Sequence, residues 1–317
     1  MRRVFGWILL VLGFLFIFLA PFVRFYTFPR VQKVPTDVDQ FVTAAGAGSY
    51  LRIKDFTYVG PTPLTNVQRL KGLPNASTDS VSVINSFYDT RDHGKTIDYT
   101  PEVYVLDRTT GLPVHCCGEL PEKQGYTLKL PFDTQKVTYP WWDPTAKRAF
   151  PAKYVDTETL DGLSVYKFDS TANDVVIDPD QGVPGSYVGQ PDQGVVHTKL
   201  MYSVDTQIWV EPTTGALIKG SQHAKRWFAD QSTGQELAPA SDTVFTWTPA
   251  YVQKTADDTA QQAKQLKIVK VVIPIFGPIL GILLVIGGVL LLRQKPAKQK
   301  ADTKDTAKKP AAQPAAG

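Results

Sequence analysis

The residues with the most reactive side chains stand together at 115–119, where His115, Cys116, Cys117 and Glu119 place two thiols beside an imidazole and a carboxylate. Adjacent cysteines in an oxidising compartment can close on one another, so a vicinal disulfide between Cys116 and Cys117 is the leading expectation, with intermolecular or free thiols as the alternative. Metal ligation is a weaker reading. Neighbouring cysteines seldom aim both thiolates at one ion, and no CxxC or second cluster completes a tetrahedron. His93, His115, His197 and His223 fall in no HExxH-type spacing and read as surface or satisfied residues. Ser164 and Lys167 match SxxK, but that catalysis needs both side chains on one helix face, and a strand puts them on opposite faces. No GxSxG, P-loop or dinucleotide fingerprint occurs, so no catalytic residue, metal or cofactor is expected and the chain reads as non-enzymatic.

The densest aromatic patch is YPWWDP at 139–144, with Phe132 and Phe150 nearby. Phe132, Tyr139, Trp141, Trp142 and Phe150 are therefore the expected ligand-binding residues, suited to a sugar or acyl chain. Core packing around Pro140 and Pro144 is the plainer alternative. Asp107 and Glu211 open two matching stretches, VLDRTTGLPV at 105–114 and WVEPTTGALI at 209–218. Each acid sits where a turn-opening side chain accepts local backbone bonds, and Gly111 and Gly215 fall where a hairpin needs positive φ. Asp178 and Asp180 invite a calcium loop, but Gly182 comes one place early and Gly189 stands where the closing Glu belongs. The stretch 178–194 is rich in Gly and Pro and reads as a long loop.

The elements that must hold these residues are legible as texture. Short apolar alternations punctuated by Gly, Pro, Asn and Asp run from Tyr50 to Trp247, the pattern of antiparallel strands with one buried face. The clearest strands are 80–88, 102–106, 126–129, 163–168, 199–210, 217–226 and 244–247. The predicted fold is a mainly β domain, a curved sheet or half-open barrel or sandwich, inserted between two transmembrane helices.

Val4–Val23 is uncharged, bracketed by Arg2, Arg3 and Arg24, and long enough at 1.5 Å per residue to cross the hydrocarbon core. Proline after Phe18-Leu19-Ala20 and no small residue at −3 argue for an uncleaved signal anchor. Val271–Leu292 is the second span, with Pro274 and Pro278 expected to kink its outer end. Thr255–Asp258 reads as the start of a polar helix leading into it. Positive charge at both outer flanks places both termini in the cytoplasm. The expected organisation is a cytoplasmic N-terminus at 1–3, spans at 4–23 and 271–292, an extracytoplasmic domain at 24–267 and a disordered basic tail at 293–317. Net charge is +4, with seven cations in the tail, so no nucleic-acid footprint is visible.

Three segments carry a resemblance: DRTTG at 107–111 followed by Cys116, Cys117 and Gly118; LPFD at 130–133 with TYPWWDP at 138–144; and DGLSVYKF at 161–168. With the two end spans, the chain resembles the actinobacterial family of uncharacterised membrane proteins labelled "porin PorA family". That resemblance implies an envelope membrane protein, and its label implies a channel. An outer-membrane barrel, however, needs many lipid-facing strands of about 10 residues and would not carry two helical spans. The sequence therefore reads as a cell-membrane protein whose outer domain binds or passes along an apolar ligand such as an envelope lipid or glycolipid. The alternatives are an envelope scaffold or signalling partner, and an oligomeric channel. Partners are membrane lipids and, in the alternatives, other envelope proteins or further copies of the chain.

Overall fold

The computed structural model describes residues 2–293, so the expected tail beyond Arg293 lies outside the described residues. Residues 22–274 form one unit and the two chain ends another. The first is built on ten strands: β1 (Asp39–Arg52), β2 (Thr57–Gly72), β3 (Val81–Asp92), β4 (Lys95–Asp107), β5 (Tyr139–Asp143), β6 (Arg148–Leu160), β7 (Leu163–Pro184), β8 (Val195–Val210), β9 (Leu217–Asp230) and β10 (Glu236–Trp247). They make a single antiparallel sheet in the order β4-β3-β2-β1-β10-β9-β8-β7-β6-β5. Two hairpin runs meet where β1 pairs with β10, from Ala44 opposite Trp247 to Tyr50 opposite Ser241.

The crossover from β4 to β5, residues 108–138, connects opposite edges of this sheet. Leu120 pairs with Val103 of β4, and Tyr126 pairs with Trp141 of β5. The short chain between them reaches at most about 20 Å. The two edge strands therefore lie near one another and the sheet curls into a half-barrel. The rest of the crossover fills the concavity. Leu128 packs on Val42, Leu70, Ile84, Tyr104 and Leu106. Leu130 is fully buried among Ala152, Phe168, Ile208 and Val210. Each such aliphatic side chain contributes about 1.5–3 kcal/mol by leaving water.

Two buried polar groups anchor the interior. Lys123 is fully buried, and its ammonium donates to the carbonyls of Val103, Leu120 and Pro121, each at 3.0 Å. That lysine pins the crossover to the β4 edge. Tyr202 donates to Asp143 at 2.9 Å, and Asp143 also accepts the Ala146 amide at 2.7 Å across the β5–β6 turn. Burial raises the pKa of both partners.

The curved antiparallel sheet is the architecture that the alternation predicts, but several local expectations change. Residues 126–129 make isolated bridges and not a strand, because they run through the concavity instead of following an edge. β7 runs on to Pro184 and pairs with β8 from Val195, so the loop expected at 178–194 is confined to 185–194. Register shifts around Ala172–Val175, Val176–Asp178 and Asp178–Gln181 take up the Asp, Pro and Gly residues that looked incompatible with a strand. β1 escapes the sequence reading because AAGAG at 44–48 has no hydrophobic alternation. Its lack of bulk is a packing requirement: a Cβ on Gly48 would lie 2.6 Å from the Asp242 carbonyl oxygen of β10.

Helix α3 (Pro249–Lys267) begins earlier than Thr255 because Thr248 precedes a proline at the first helical position, where the missing N–H costs nothing. Its Val252 and Ala256 cover Val165, Trp209 and Ile218 on the convex face of β7–β9. A π-helical turn at Ile268–Val272 follows α3 and leads to Pro274, and a second occupies Val23–Thr27 after Pro21, ahead of the short helix α2 (Phe28–Val31). Prolines remove the donors that regular α-helix would use at these points.

The other unit pairs α1 (Arg2–Phe22) with α4 (Ile273–Arg293). Both helical runs are long and apolar enough to cross a membrane. They pack antiparallel through glycines repeated at the same interval on both helices. A Cβ on Gly13 would lie 2.7 Å from the Gly281 carbonyl oxygen, and one on Gly6 would lie 2.9 Å from Leu292 Cγ and 3.2 Å from the Gly288 carbonyl oxygen. Small residues let the backbones meet, and dispersion contacts along that seam hold the pair together.

Candidate ligand groove

On the outer face of β2–β4 the register builds a groove of about 390 Å3. One rung sets Phe41 opposite Arg69, Arg69 opposite Phe87 and Phe87 opposite Pro101. The next sets Asp39 opposite Lys71, Lys71 opposite Asn85 and Asn85 opposite Val103, which the crossover extends to Leu120. Tyr99 completes the floor, its ring stacked on Phe87 with centroids 5.4 Å apart. Tyr99 is 55% exposed, Leu120 58% and Phe41 52%, so this is an open apolar surface and not the lining of a core.

Cations border it. Lys71 Nζ donates to Asp39 at 2.7 Å, and Arg69 Nη2 lies 3.5 Å from the same carboxylate. The bond from Lys71 lowers the Asp39 pKa. Arg69 also leans over the Phe41 ring at 5.1 Å, and its buried Nε finds no acceptor among the described residues.

The five aromatic residues singled out in the sequence are not gathered here. Tyr139 and Trp141 pack with Tyr126, Tyr154 and Tyr166 around Phe168, Trp142 is 4% exposed, and Phe150 packs near Tyr202 and Val204. Phe132 instead carries the Lys129 ammonium, 3.2 Å from its ring centre. A second concavity, about 500 Å3, lies over Pro151, Lys153, Tyr154, Val155, Asp169 and Thr171, with none of the five in its lining. The groove residues were missed because Arg69, Phe87 and Tyr99 are far apart in sequence. Only the alternation of β3, which puts Asn85 and Phe87 on one face and Ser86 and Tyr88 on the other, hinted at an aromatic on the solvent side.

The matching turns are structural. The Asp107 carboxylate accepts the Thr109 and Thr110 amides at 3.0 and 2.7 Å, and Glu211 accepts those of Thr213 and Thr214 at 2.9 and 2.7 Å. Gly111 and Gly215 have φ of 76° and 72°. A third copy, DQSTG at 230–234, makes the same bonds through Asp230 with serine in place of the first threonine. All four histidines sit beside carboxylates: Asp92 for His93, Glu119 for His115, Asp180 for His197 and Asp242 for His223. Cys116 and Cys117 are joined side by side on the exposed loop that runs into Leu120, where Cys117 takes a φ of 58°.

The sequence profile of the family described as "Porin PorA" matches residues 5–290. A "Porin PorA" of Corynebacterium resistens is 22% identical over 346 residues, covering 87% of this chain and 77% of that protein. A "Porin PorA" of Corynebacterium amycolatum is 25% identical over 141 residues, covering 37% of this chain and 36% of that one.

Proposed function

We propose, for a chain that belongs to the Porin PorA family, a non-enzymatic envelope protein whose β domain holds the apolar part of a lipid or glycolipid in the groove of β2–β4. The observation that carries this reading is an aromatic floor of half-buried Phe87 and exposed Tyr99 in a concavity of about 390 Å3, the size range of small-molecule sites. The two helical spans keep such a domain at a membrane, within reach of lipid. Their antiparallel packing supports a two-pass topology with both termini on one side, and the flanking positive charge assigns that side to the cytoplasm.

Organic extracts of full-length protein purified in a neutral detergent are expected to contain a bound amphiphile. Tyr99→Asp, at a position exposed enough to spare the fold, should lower its retention about tenfold by placing a charge on the apolar floor. Wild-type protein with no retained amphiphile, or unchanged retention in the variant, would overturn the reading.

The family's description favours a second reading, a channel. The half-barrel itself is filled by Lys123, Leu128 and Leu130 of the crossover, so a conducting path would have to be formed by the helical spans of several copies. Planar-bilayer recording with no current from reconstituted protein would dispose of it. We also assign the Cys116–Cys117 pair as a disulfide in the exported domain. Non-reduced proteolysis should yield one peptide holding both cysteines, resistant to alkylation until a dithiol is added. Immediate alkylation would exclude the cross-link.

A further inference from the structure

We infer that the occupant of the β2–β4 groove is a lipid with an anionic phosphate headgroup, its phosphate seated between Arg69, Lys71 and Asn85 and its apolar part laid over Phe87, Tyr99 and Leu120. This rests on the reading that the groove takes an apolar ligand, and adds the chemistry of the other end. The register divides the groove across the strands: Arg69 and Lys71 stand on β2 with Asn85 beside them on β3, and Phe87, Pro101, Tyr99 and Val103 follow towards Leu120 at the β4 edge. An amphiphile has the same division along its length.

Charge complementarity sets the sign of the headgroup. Two cations share the single carboxylate of Asp39, which leaves an excess of positive charge at this end. The Arg69 side chain is 37% exposed and lines the groove, so its terminal guanidinium donors can reach an oxygen there. Asn85 adds amide donors beside it. Glu102 contributes to the lining as well, two strands away from Lys71, and its carboxylate opposes an anion on that side. An arginine fork next to a lysine suits phosphate oxygens, because guanidinium supplies parallel donors and ammonium a point charge. Asp39 engages both cations and would compete with the ligand.

The test uses full-length protein in neutral detergent, offered phosphatidylglycerol, diacylglycerol or inorganic phosphate and read by native mass spectrometry. Wild-type protein is expected to retain phosphatidylglycerol about tenfold over diacylglycerol. Arg69→Ala with Lys71→Ala should abolish that preference, bringing the retention of the two lipids to the same level. Asp39→Asn should raise phosphatidylglycerol retention several-fold. Since loss of a charge pair could disturb β2, the gain expected of Asp39→Asn provides an arm that misfolding cannot imitate. Equal retention of both lipids by wild type would overturn the headgroup assignment and leave the apolar groove standing. So would a preference that survives in the double variant, which would point to Lys264, Lys267 and Lys270 by the membrane helix. Displacement of phosphatidylglycerol by inorganic phosphate would identify free phosphate as the ligand and overturn the lipid. Retention of neither lipid would remove the apolar reading itself.

Discussion

Leucine at Gly281 is expected to force α1 and α4 apart. A Cβ there would already lie 2.7 Å from the Gly13 carbonyl oxygen and from Ile17 Cγ1, so a whole isobutyl group cannot be absorbed by a rotamer change. Overpacking at a close backbone contact costs about 1–3 kcal/mol, and opening the seam also forfeits the dispersion contacts around Gly13 and Val285. Helix association in lipid has no hydrophobic driving force to offset that loss. The measurement is oxidative cross-linking of Leu9→Cys with Gly287→Cys, positions in side-chain contact range, on a background with Cys116 and Cys117 changed to serine. Cross-linking should fall roughly 5- to 150-fold with Gly281→Leu. Ile279→Leu, at an exposed position, should leave it unchanged. Undiminished cross-linking in Gly281→Leu would mean that the helices do not meet through their glycines.

Replacing Lys129 by methionine should stabilise the protein. The Lys129 ammonium is buried without a hydrogen-bond partner among the described residues and rests on the Phe132 ring, and burial pushes its pKa down to about 7. Nearby Asp133 is engaged by Lys270 at 2.5 Å and supplies no compensation. The unfolded chain holds the proton up to the ordinary lysine range, whereas the folded chain releases it near neutrality. Folding therefore carries a penalty that grows as pH falls from about 10 to about 7 and stays at its maximum below that. Each tenfold change in proton affinity is about 1.36 kcal/mol, so after relaxation of the site the penalty is on the order of 2–4 kcal/mol. Methionine fills the same volume without it. Thermal unfolding of full-length protein in micelles should rise by roughly 5–10 °C at pH 7, and the gain should shrink towards pH 10. A variant that melts with wild type at pH 7, or whose advantage is independent of pH, would show that the ammonium is solvated.

Both predictions concern groups that the sequence displayed without ranking. Gly281 and Gly288 stand seven residues apart, as do Gly6 and Gly13, but the two intervals gain meaning only when the helices run antiparallel and bring 13 against 281 and 6 against 288. Lys129 stood in a stretch that read as a strand, where alternation would have left it in solvent. The crossover instead carries it between the turns at Gly111 and Gly215, and no periodicity reports a segment that leaves the sheet to plug it. The aromatic patch at 139–144 was legible as a cluster, yet composition could not distinguish a surface from a core. The edge pairing of β5 with β6 packs Tyr139 and Trp141 on Phe168 and Ala152.

The sequence by itself determined the two apolar helical runs, the antiparallel β character between them and the turn chemistry of Asp107 and Glu211. These depend on properties that act within a few residues: hydrophobic run length, side-chain alternation and local capping. Tertiary structure alone decided that β1 joins β10, that the crossover fills the curl, and that Arg69, Phe87 and Tyr99 face one groove. Those juxtapositions are set by which strands pair and in what register, and register is chosen by the packing of the whole sheet and its plug. A one-residue slip of β3 would turn Phe87 inward and Tyr88 outward, and the groove would lose its floor.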